Sequence, residues 1–89
     1  MSAARGPAQA PYTDKQGQYL AFIYAYTTIH GQAPAERDME RFFRTSPPTI
    51  HTMVKTLQRE GFLRRQPGVA RSIHLIVEAG ALPVLLRPE

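Results

Sequence analysis

The chain has 89 residues, 43% of them hydrophobic, no cysteine and a formal net charge of +4. Such a length supports one domain with a small core, and the lack of cysteine excludes disulfide staples and thiolate chemistry. No apolar run approaches the roughly 20 residues that cross a bilayer, and the opening MSAARGPAQAP lacks the apolar segment of a signal peptide, so a cytoplasmic protein without membrane contact is expected.

Charge is unevenly placed. Between Arg41 and His74 stand Arg41, Arg44, Lys55, Arg59, Arg64, Arg65 and Arg71 against one acid, Glu60, whereas the flanking stretches are slightly acidic. A basic middle of this kind is the footprint of a polyanion partner. An ordinary solvated surface is the plainer alternative.

Residues 1–11 are mostly small residues and proline and are read as a flexible N-terminal tail. Thr13 and Gln16 form a capping-box start. Helical periodicity follows to about His30, with Gly31 as its stop. Leu20, Ile23, Tyr24 and Thr27 share one face, and Phe22, Tyr26 and Ile29 lie nearly opposite. A helix apolar on two sides needs two partners: the domain core, and either the C-terminal segment or a second subunit.

A short helix is predicted from about Ala35 to Phe43, with Met39, Phe42 and Phe43 turned inward. Its acids Glu36 and Asp38 lead and Arg41 and Arg44 trail, as the helix dipole favours. Ser46 is a good N-cap for a third helix running from about Pro47 to Glu60, because first-turn prolines displace no intrahelical hydrogen bond. Ile50, Met53, Val54 and Leu57 form its inward stripe, and Gly61 ends it. Phe62–Gln66 and Arg71–Val77 read as strands around the Pro67-Gly68 turn. The apolar tail, residues 78–89, carries Leu82, Val84, Leu85 and Leu86. The fold class is mainly α with a small β-hairpin, a three-helix winged helix-turn-helix over residues 12–77.

Away from its apolar stripe the third helix offers Pro48, Thr49, Thr52, Lys55, Thr56 and Arg59, with His51 on one flank. All but Pro48 carry hydrogen-bond donors and none is acidic. A surface that enters the major groove needs short polar groups for base edges and cations for phosphates. An ordinary exposed face is the alternative, but those usually mix Glu with Lys. A short helix, a tight turn and a helix with small polar groups at its start is the helix-turn-helix plan. Arg64, Arg65 and Arg71 flank the hairpin turn, where they hold a wing on the DNA backbone or serve as solubilising charge.

In order and spacing, Thr13–Gln16, Gly31–Pro34, Ser46-Pro47 with Ile50–Leu57, Arg59-Glu60-Gly61-Phe62-Leu63 and Arg71–Leu75 resemble the DNA-binding domain of LexA-type repressors. Gly80-Ala81-Leu82-Pro83 is similar to that family's linker. The resemblance implies recognition of short inverted repeats in promoters, with base-reading residues at Ser46, Pro48, Thr49, His51 and Thr52. Pro48, His51 and Thr52 stand where the family commonly has asparagine and acids, so the preferred site should differ from familiar operators. Ala35 replaces an expected Thr cap, a change costing about 1 kcal/mol. The peptidase domain of such repressors is not represented, so neither self-cleavage nor its dimer contacts are expected.

Other chemistry finds little support. His30, His51 and His74 are too far apart for a metal-ligand spacing, no glycine-rich phosphate cradle occurs, and Ser46 and Ser72 lack a base nearby in sequence. Tyr19, Tyr24 and Tyr26 interleave with aliphatics and read as core or interface. No enzyme activity, cofactor or metal is expected.

The reading is therefore sequence-preferring binding of double-stranded DNA by a transcriptional regulator or repressor. Thr49 and Thr52 would meet base edges, and Lys55 and Arg59 phosphates or guanine edges. A homodimer through Phe22, Tyr26, Ile29 and the tail leucines would cover paired half-sites; a tail folded back on its own chain is the alternative. A protein-interaction winged helix and an RNA-binding module are the rival functions.

Overall fold

The computed structural model describes residues 12–88, so the expected flexible tail, residues 1–11, lies outside the described residues. Helix α1 spans Asp14–His30. Its capping box is complete: Thr13 Oγ1 accepts from the Gln16 N–H at 3.1 Å, and Gln16 Oε1 accepts from the Thr13 N–H at 2.9 Å. Gly31 closes the helix with φ 74°, donating its N–H to the Thr27 carbonyl; a left-handed residue is needed there, and glycine takes that conformation without penalty.

The two apolar faces expected along α1 are distributed differently. Gln16, Gly17 and Tyr19–Ile23 are buried and Gln18 is half-buried, so the helix is covered on most sides from Gln16 to Ile23, while Asp14 and Lys15 stay exposed. Beyond Ile23 it emerges, leaving Tyr24 45% and Ile29 75% exposed. Phe22 is covered by Phe42 and Phe43, with ring centroids 4.7 and 5.6 Å away, and Tyr19 stacks on Phe43 at 4.1 Å. The partner of the second face is an aromatic cluster from the next helix.

That helix, α2, spans Glu36–Phe43 and buries Met39 completely. Ala35 has no capping oxygen, but the Asp38 carboxylate accepts the Ala35 N–H at 2.8 Å and restores half a capping box. Helix α3 spans Pro47–Arg59 behind the Ser46 N-cap, with Ile50, Val54 and Leu57 fully buried and Met53 partly so.

The hairpin is shorter than its sequence pattern. Strand β1 is Leu63–Arg64 and β2 is His74–Leu75, antiparallel with Leu63 opposite Leu75 and Arg64 opposite His74. Arg71 has φ 56° and Gly68 φ 77°, and neither fits an extended ladder. The Ser72 hydroxyl replaces the missing rungs: it accepts the Gln66 N–H at 2.9 Å and lies 2.9 Å from the Val69 carbonyl.

The C-terminal segment turns through a single 3-10 turn at Ala79–Ala81 and then runs back along α1. Tyr12 donates to the Ala81 carbonyl, while the Gln18 amide donates to the Val84 carbonyl at 2.9 Å and accepts the Leu86 N–H at 2.7 Å. Leu82 and Leu85 pack on the core, and Val84 and Leu86 face outward. Of the two expected roles for the tail leucines, the described chain shows the intramolecular one. No helix among the described residues is long and apolar enough to cross a membrane.

Gly17 marks the closest approach: a Cβ there would lie 2.9 Å from a ring carbon of Tyr12 and 3.0 Å from Pro83 Cγ. Gly17→Val is expected to displace the tail and lower stability by about 1–3 kcal/mol, the scale of overpacking. Urea denaturation checks this; an unchanged midpoint would show that the tail does not hold this position.

Candidate nucleic-acid interface

Because α3 buries Ile50, Val54 and Leu57, its 3.6-residue period turns the opposite side outward. Pro48, Thr49, Thr52, Lys55 and Arg59 are exposed and Thr56 is half-buried. Neither Lys55 nor Arg59 is ion-paired among the described residues, where the ion pairs are His51–Glu36 and Arg71–Asp38. Glu60 points elsewhere, accepting from the Gln16 side-chain amide at 3.4 Å.

At the start of α3, Ser46 Oγ lies 2.9 Å from Thr49 Oγ1 and accepts the Thr49 N–H at 3.4 Å. One of these hydroxyls therefore orients the other before any ligand arrives. His51 is placed less freely than its sequence position implies. Its Nδ1 lies 3.3 Å from a carboxylate oxygen of Glu36, the first residue of α2. Packing of α2 on α3 thus puts an acid at the edge of a face that is acid-free in sequence.

The three arginines of the hairpin separate. Arg64 is exposed on β1. Arg65 is half-buried, with its Nε enclosed and without a hydrogen-bond partner, and it lines a cleft with His51 and Glu36 on one side and Gly68 and Ser72 on the other. Arg71 departs from the expected wing cation. Its guanidinium turns inward to the Asp38 carboxylate at 3.2 Å, the Tyr26 hydroxyl at 3.1 Å and the Ala33 carbonyl at 3.1 Å.

A model of the LexA DNA-binding domain matches residues 9–72. The chain belongs to the LexA DNA-binding domain family. Among curated relatives, the LexA repressor of Thermosipho africanus is 34% identical, covering 81% of this chain and 37% of its own. Those of Thermosipho melanesiensis and Pseudothermotoga lettingae are 36% and 37% identical, covering 72% and 82% of this chain and 32% and 37% of theirs. The chain thus spans about a third of the length of these relatives. The three helices and antiparallel hairpin are the winged helix-turn-helix of this family, a DNA-binding rather than a catalytic domain.

In this LexA-type domain the fold adds a residue that the sequence reading passed over. A shallow depression beside the outer side of α3 is shared by Lys15, Thr49, Thr52 and Thr56. Lys15 lies in the first turn of α1, where the helix dipole disfavours a cation. That misplacement was the available signal; proximity to α3 arises only on folding. No group of three or more metal-binding side chains forms among the described residues.

Asp38 joins the helices to the hairpin, and its ionisation is held by that junction. Burial opposes its charge, but the Ala35 N–H, the Arg71 charge, and hydrogen bonds with Tyr26 and Arg71 outweigh it and keep its carboxyl below the usual value. A carboxyl depressed in the folded state stabilises the fold above its unfolded pKa, and that contribution is lost as pH falls through the folded value. Thermal melts between pH 7 and pH 3 should therefore show a smaller acid loss for Asp38→Asn than for the parent; equal losses would remove this role.

Proposed function

We propose that this domain binds double-stranded DNA with sequence preference and acts as a transcriptional repressor in the cytoplasm, laying the outer side of α3 in the major groove. The observation that carries the reading is the exposed run of Pro48, Thr49, Thr52, Lys55 and Arg59, with both cations free of acidic partners among the described residues. Thr49 and Thr52 are placed for base edges, with the Ser46 hydroxyl holding Thr49; His51 and Thr56 flank them. Lys55 and Arg59 reach phosphates or guanine edges, and Arg64 and Arg65 lay the hairpin on the backbone as a wing. Lys15 adds a cation on the far flank of α3. Membership of the LexA DNA-binding domain family and the identity of the relatives as LexA repressors support the same reading.

One domain of this size reads a half-site, so two copies on an inverted repeat supply the discrimination that one short helix lacks. Phe22 is buried within its own chain and Leu82 and Leu85 pack on the core, which leaves Ile29 with the partly buried Tyr26, and the outward tail residues Val84 and Leu86, as the apolar positions open to a second copy. Contact between copies is accordingly weak without DNA.

With about five cations near phosphates, log K should fall against log[salt] with a slope of about −4 to −5. Fluorescence anisotropy with a duplex selected from a random pool measures it. Lys55→Ala should weaken binding to all duplexes and reduce the slope by about 0.9, whereas Thr52→Ala should change base preference. Salt-insensitive binding would contradict the reading and point to an apolar protein partner; preference for RNA over duplex DNA would favour the other rival.

A further inference from the structure

We infer that Arg71 is a positioning residue that locks the hairpin turn against the helical body so that Arg64 and Arg65 meet DNA; the inference rests on the DNA-binding reading above. Three observations converge on it. First, one guanidinium joins three separate parts of the chain: Tyr26 of α1, the Ala33 carbonyl of the α1–α2 loop and Asp38 of α2, at 3.1, 3.1 and 3.2 Å. It also lies 5.9 Å from the centre of the Tyr26 ring, within cation–π range.

Second, the outer turn has little else to hold it. Among the described residues, the side-chain hydrogen bonds and ion pairs tying residues 65–72 to the helices all belong to Arg71, while those of Ser72 stay within the turn. The paired strands extend only to Arg64 and His74. Third, Arg71 takes φ 56°, a left-handed conformation that disfavours a residue with a Cβ and persists only where its surroundings fix it. A flexible loop would relax it.

The lock matters for recognition because the cleft lined by Arg65 and His51 has the hairpin turn as one wall and the starts of α2 and α3 as the other. Fixing that turn fixes the separation of Arg65 from α3. A preset wing binds without first losing the freedom of a mobile loop. Arg71 thereby acts on DNA through Arg64 and Arg65.

Opposite signs separate this role from direct phosphate contact. Asp38→Asn removes one negative charge and the ion pair to Arg71, which keeps its Tyr26 and Ala33 contacts, and retains an amide oxygen for the Ala35 N–H. If Arg71 competed between Asp38 and a phosphate, this variant would bind DNA more tightly. The lock instead predicts weaker binding, by roughly five- to tenfold, the lower end of coupling between contacts. Arg71→Lys keeps the charge, but its ammonium ends one bond short of Nη1, the nitrogen that makes all three contacts, and should weaken binding by a similar factor.

The experiment compares the parent, Asp38→Asn and Arg71→Lys on a duplex that the parent selects from a random pool. Nitrogen-15 relaxation of the free proteins is measured alongside, with α3 amide shifts as the check that each variant remains folded. Lower order parameters confined to residues 65–72, together with weaker binding, are expected. Parent-like or tighter binding by both variants overturns the lock and leaves the DNA reading standing, whatever the turn does; weaker binding with an unchanged turn also overturns it. A parent that selects no duplex overturns both.

Discussion

Burial of one stripe of α3 organises everything else in this molecule. Ile50, Val54 and Leu57 are completely withdrawn from water, and each contributes about 1.5–3 kcal/mol of apolar burial. In a chain of this size that is a large part of the driving force. Rotating α3 by half a turn would expose these side chains and bury Lys55 and Arg59 without partners, which is prohibitive. The outward face is therefore a consequence of core packing, and its polar, acid-free composition is what remains available for a ligand.

The parts around α3 hold that face in register from several directions. The Ser46 cap fixes where the helix begins, α2 packs beneath it, and the aromatic cluster of Tyr19, Phe22, Phe42 and Phe43 joins α2 to α1. The tail closes the first half of α1 through Gln18, whose amide serves one backbone carbonyl and one backbone N–H. A small domain without disulfides gains from this strap, since it recruits Leu82 and Leu85 into a limited core. The base of the wing packs on the core through Leu63, Ile73 and Leu75, whereas its outer turn is attached more sparingly, through one arginine.

Helices were the legible part of the sequence. Thr13 with Gln16, Gly31 and Ser46 are local signals, and each marks a boundary in the structure within a residue. The stripe on α3 was legible for the same reason, because periodicity is a local property. Features set by neighbours distant in sequence were not. Nothing near Phe22 announces that Phe42 and Phe43 will cover it, so its face read as an interface. The strands read too long because alternation around Ile73 and Leu75 says nothing about the left-handed backbone at Arg71. Arg71 read as a surface cation because its partners, Tyr26, Ala33 and Asp38, lie more than thirty positions upstream in the chain. The pairing of His51 with Glu36, fifteen positions upstream, was likewise not legible locally, and Lys15 came to the edge of the site only through the fold.

The central claim is that duplex DNA meets the outward side of α3 and the adjoining hairpin. Mapping backbone amide shifts during titration with a duplex carrying a single half-site, on which no second copy sits, tests it most directly. The account predicts the largest changes at residues 48–59 and 64–66, with the exposed end of α1 around Ile29 and the outer tail residues Val84 and Leu86 little affected. Changes centred on Ile29, Val84 and Leu86, with residues 48–59 unmoved, would contradict it.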